Sequence, residues 1–157
     1  MTSRFPLIHS IALVCLLVAL PAAAKRDDTV QLKLGPTTTA TEFATQRQQI
    51  EAAIKHPEHY VEMRAEDRKV VSEALEKMGG QLESAGSVAA LDEPARNALL
   101  AEQDDLNKRL EQAYHDSRLV CVREKVIGSS MRRNVCLTVA QRRRTADEGR
   151  GMVRPEG

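Results

Sequence analysis

Cys121 and Cys136 constrain this chain more than any other pair of residues, because a bond between them closes the segment around Gly128 into a stapled hairpin. If Cys121 lies directly opposite Cys136 in an antiparallel pair, Ile127 faces Ser130 and Gly128-Ser129 becomes a two-residue turn. Glycine at the first central position suits a type II′ turn. The same register sets Val120 by Leu137, Val122 by Val135 and Val126 by Met131 on one face, interrupted by Glu124 opposite Arg133 as a cross-strand charge pair. That face is expected to pack inward. The cysteines share the other face with Arg123, Lys125, Arg132 and Asn134, which is expected to look outward. Counting from a two-residue turn makes the cysteines a hydrogen-bonded pair, with Cα atoms about 5.5 Å apart. Closing a loop of this size contributes about 3 kcal/mol in the chain-entropy view, and an isolated hairpin is marginal without it.

A disulfide requires an oxidising compartment, and the N-terminus reads as the export signal that would deliver the chain to one. Arg4 precedes an apolar run over residues 11–20, and Pro21-Ala-Ala-Ala24 supplies a small-residue end, so cleavage is expected between Ala24 and Lys25. The apolar run is shorter than the roughly 20 residues of a membrane span, and no second such run follows. Cys15 follows Val14 inside the run, a poor setting for lipid attachment. The expected location is periplasmic or secreted, with no transmembrane segment after signal removal.

Beyond residue 24 the chain has no Trp, and its aromatics are Phe43, Tyr60 and Tyr114, so its core must come from thin aliphatic seams. Residues 25–41, with charges, a Gly-Pro and a Thr run, read as a flexible leader. Residues 42–117 read as helical. Phe43, Ile50 and Ile54 share one face before Pro57 ends the segment. A second helix is predicted over residues 62–78, its stripe of Val71, Leu75, Met78 and Leu82 running to a stop at Gly79-Gly80. After a small-residue linker, Asp92 is a natural N-cap for a third helix over residues 93–115, carrying Leu99, Leu106, Leu110 and Ala113. These stripes fit an antiparallel helical hairpin or three-helix unit, and a coiled-coil homodimer would use the same residues. The hairpin then occupies residues 118–140. Thr138 and Gln141 form a capping box for a short basic helix, and Gly149, Gly151 and Pro155 suggest a frayed tail within 141–157. The fold class is mainly α with a small β-hairpin.

Charge is segregated: residues 25–117 hold 12 Lys/Arg against 18 Asp/Glu, whereas residues 118–157 hold 10 against 4. Either the basic end docks on the acidic helices or it engages an external polyanion. Arg123, Lys125, Arg132, Arg133, Arg142, Arg143 and Arg144 are therefore the candidate anion- or partner-binding residues. No aromatic residue follows Tyr114 to stack on bases, which disfavours nucleic acid.

Catalytic signals are sparse. The cysteines are far apart and on predicted strands, unlike the Cys-x-x-Cys of exchange catalysts. There is no Gly-x-Ser-x-Gly elbow, Walker loop or dinucleotide fingerprint. His56 and His59, with Glu62 nearby, are a thin case for metal because Pro57 breaks any shared helix face, so neither a metal nor another cofactor is expected.

The run Asp116-Ser-Arg-Leu-Val-Cys121, followed by Glu124-Lys125, Gly128-Ser129 and Asn134-Val-Cys-Leu-Thr138, resembles a C-terminal cysteine hairpin in small exported bacterial proteins of uncharacterised function. The resemblance covers about residues 116–144. It implies a bacterial envelope setting and carries no catalytic residues. The expected role is a non-enzymatic structural or protein-interaction module with an unidentified partner. The alternatives are binding of an anionic envelope component or nucleic acid through the basic hairpin, and a metal-dependent enzyme.

Overall fold

The structure, a computed structural model, describes residues 29–56, 58–125, 127, 128 and 130–152. The expected signal with its Ala24/Lys25 cleavage site, the Val126 pairing, the Ser129 turn position and the tail from residue 153 lie outside the described residues. Four helices and one hairpin follow in the order α1 (Ala40–Lys55), α2 (Ala65–Ala85), α3 (Glu93–Ser117), β1 (Leu119–Lys125), β2 (Arg132–Thr138) and α4 (Val139–Met152), with a short 3-10 turn at Val88–Ala90.

The first three helices form the body. Gly79 and Arg47 meet near Phe43, while Arg68 reaches the carbonyl of Ile54, so α1 and α2 run antiparallel. Lys77 pairs with Glu102 and Asp67 lies 3.6 Å from Arg109, so α2 and α3 do likewise. Between them sit the predicted stripes: Phe43, Ile50 and Ile54, then Val71, Leu75, Met78 and Leu82, then Leu99, Leu106 and Leu110, all buried. Fully burying one such side chain contributes about 1.5–3 kcal/mol. The stripes are covered within one chain, which leaves none of them as a coiled-coil seam for a second copy.

Several helix ends depart from expectation. The predicted stop at Gly79-Gly80 does not occur, and α2 continues to Ala85 before Gly86, at φ +84°, turns the chain. A Cβ on Gly79 would lie 3.3 Å from Cε1 of Phe43, so this glycine admits the α1 ring rather than ending the helix. The second helix begins at Ala65, not at residue 62, because residues 58–62 form turns. Likewise α4 runs through Gly149 and Gly151 instead of fraying there. Its start matches the sequence: Thr138 N–H donates to Gln141 Oε1 and Gln141 N–H to Thr138 Oγ1, both at 3.0 Å.

The larger correction concerns the leader. Residues 29–35 follow a defined path across the helices before a turn at residues 36–37, and Leu32 is buried in the core beside half-buried Val30 and Leu34. Three side-chain amides hold the backbone of this clip. Asn107 on α3 accepts from Leu32 N–H and donates to its carbonyl, both at 2.8 Å. Gln46 on α1 does the same for Lys33, and Gln103 accepts from Leu34 N–H. Thr39 then caps α1 in a reciprocal box with Glu42, so the Thr run is a helix start.

Candidate functional site

The hairpin has the expected register. Leu119 pairs with Thr138, Val120 with Leu137, Cys121 with Cys136, Val122 with Val135, Arg123 with Asn134, Glu124 with Arg133 and Lys125 with Arg132. Cys121 and Cys136 are disulfide-bonded. Gly128 has the positive φ, +80°, that a tight turn asks of glycine. Two details differ. The Cα atoms of the cysteines are 4.0 Å apart, the close type of antiparallel pair and not the hydrogen-bonded type. The paired ladder of the described residues ends at Lys125 and Arg132, so counting outward from a two-residue turn misassigns the alternation.

A further difference concerns packing. Val120, Val135 and Leu137 are only half-buried and Val122 is exposed, so the valine face does not enter the body's core. The strands are tied to α4 through their backbone instead. From that helix Arg142 donates to the carbonyls of Val120 at 3.0 Å and Val135 at 3.3 Å. The hairpin is joined to the body at its base, where Ser117, Thr138 and Ala140 are buried.

Glu62 organises that base, a role its place near the two histidines does not suggest. Its N–H donates to Ser117 Oγ, its Oε1 accepts from Thr138 Oγ1 at 2.6 Å, and its Oε2 accepts from Arg144 at 2.9 Å. The Arg144 bond, then the Thr138 bond, hold the carboxyl below the usual carboxylate range against opposing burial. Arg143 pairs with Asp116 at 3.0 Å. Burial acts to raise the Asp116 carboxyl, but hydrogen bonds from Gln112 and Arg143 outweigh it and leave the pKa lowered. A cleft of about 570 Å³ lies among these groups, and its three carboxylates are all paired, Glu62 with Arg144, Asp116 with Arg143, and Asp67 with both Arg64 and Arg109, while Lys108 on its wall forms no ion pair among the described residues.

The seven candidate cations thus divide. Arg142, Arg143 and Arg144 are engaged within the molecule. Arg123, Lys125, Arg132 and Arg133 lie exposed on the strands with no ion pair or side-chain hydrogen bond among the described residues, and the expected Glu124–Arg133 ion pair is not formed although the two face each other. At the tip Ile127 is fully exposed and Met131 is 74% exposed. Away from the hairpin, the ligand atoms of His56, Glu58 and His59 come together in the turn after α1. Glu62, tied to Arg144 and Thr138, is not one of them.

No family model, curated protein or solved structure matches the chain. No described helix is long and apolar enough to cross a membrane.

Proposed function

We propose that the protein is a non-enzymatic, exported interaction module that presents a disulfide-closed basic hairpin to an anionic partner of the cell envelope. The observation that carries this reading is the division among the cations. Three arginines neutralise or bind groups of the protein itself, while Arg123, Lys125, Arg132 and Arg133 form no ion pair among the described residues. Lys125 directly opposite Arg132 is unfavourable for the isolated hairpin unless solvent or an anion compensates. A bound anion relieves that repulsion, so affinity is expected to come from these positions. Ile127 beside them offers apolar contact at the tip. The disulfide and the signal-like N-terminus support an oxidising envelope compartment. Nucleic acid fits less well, because no aromatic side chain accompanies the cations.

Crosslinked capture of the tagged protein from its native envelope, with partners identified by mass spectrometry, tests the class. A quantitative arm compares the protein with an Arg123→Glu/Arg132→Glu variant across a salt series. Binding is expected to weaken steeply with salt and to collapse in the variant. Salt-insensitive binding, or binding that ignores the charge reversal, overturns the proposal.

A further inference from the structure

His56, Glu58 and His59 lie in the connection between α1 and α2, and their ligand atoms are all within 4.8 Å of one another. Pro57 rules out a shared helix face for the two histidines, yet the structure reaches the same proximity by a turn. His56 caps α1 in an extended conformation, φ −76° and ψ 119°, and the chain then doubles back through residues 58–62. The two imidazole rings end with centroids 5.5 Å apart.

The turn is fixed from several sides. The Arg68 guanidinium donates to the carbonyls of Ile54 and Tyr60, and its Nε to that of Met63, so one side chain gathers both ends of the connection. Tyr60 and Met63 are buried in the core. His59 stacks on Tyr114 of α3, with centroids 6.0 Å apart and planes inclined by 22°. Donors carried on a clamped turn lose less freedom on binding than donors on a free loop. Two imidazoles and one carboxylate are also the donor set of zinc sites that keep a coordination position open.

We propose that His56, Glu58 and His59 form a surface site for a divalent first-row transition ion of the zinc class, with water completing its coordination. Imidazole donors favour zinc, copper or nickel over magnesium and calcium, which take oxygen ligands. The site shares no residue with the basic hairpin, so either proposal stands if the other fails.

The test is calorimetric titration of zinc chloride into the untagged protein, purified as the cell processes it. One ion per chain is expected at micromolar zinc. His56→Ala and His59→Ala should each weaken binding by about tenfold or more, Glu58→Gln should weaken it too, and His115→Ala should leave it unchanged. Circular dichroism checks that each variant folds. For a variant that does not, imidazole nitrogen spectra of the wild type decide: the His56 and His59 signals must shift together on adding zinc. Absence of binding at micromolar zinc, zinc shifts confined to other histidines, or binding that survives in the folded His56→Ala/His59→Ala double variant overturns the proposal and leaves an adventitious ion only.

Discussion

Gly79 and Gly80 are adjacent, yet their environments are opposite. A Cβ at Gly79 meets the Phe43 ring, whereas one at Gly80 meets nothing within 4 Å. Gly80→Ala is therefore expected to raise stability by about 0.5–1 kcal/mol through helix propensity. Gly79→Leu is expected to lower it by about 1–3 kcal/mol by overpacking. Urea denaturation midpoints of the two variants check both signs. Glu62 supplies a pH prediction. Its pKa is lowered from an ordinary 4.5, so it adds stability above that value and loses it as pH falls through the lowered folded value. Asp116 is lowered in the same direction and adds its own acid-side loss. Thermal melts between neutral and acid pH should show a shallower acid-side decline in Glu62→Gln than in the wild type, with the Asp116 part remaining. An unchanged decline would show that Arg144 and Thr138 do not set this linkage.

The helices were legible in the sequence because each carries a repeating stripe whose burial is a local pattern, and every residue from Phe43 to Leu110 assigned to a stripe is in the core. The clip reads as a flexible leader, although a signal of its packing is present. Val30, Leu32 and Leu34 alternate with Gln31 and Lys33, a period-two pattern that marks an extended segment with one buried side. Its partners were not legible, because Gln46, Gln103 and Asn107 occupy ordinary polar positions and nothing local shows that they bond to a backbone 13 to 75 residues away. Leu32→Ala should cost about 2–5 kcal/mol, measured by chemical denaturation, as expected for a core leucine and not for a leader residue. On the hairpin, the cysteine spacing and the Gly128 turn yielded the register. Which arginines would be neutralised depended on α4 folding back toward Glu62 and Asp116, a tertiary fact with no local mark.

At the scale of the molecule, the body and the hairpin draw on different sources of stability. No described hairpin residue belongs to the core cluster, so its strands rely on the disulfide, their own pairing, the α4 contacts and the bond from Thr138 to Glu62 at their base. A Cys121→Ser/Cys136→Ser variant should therefore keep the helical body's thermal transition nearly unchanged. The amides of β1 and β2 should lose hydrogen-exchange protection, by up to about 3 kcal/mol if loop closure is the main effect. Concerted loss of both units would show that the hairpin contributes to the body after all. The Asn107 bonds to Leu32 also set an order of events. They join residues 75 apart, so a chain still emerging N-terminus first has no seat for Leu32 until most of α3 exists. The segment synthesised early is then among the last to settle, and any truncation that ends before Asn107 should leave a collapsed but unlatched helical pair.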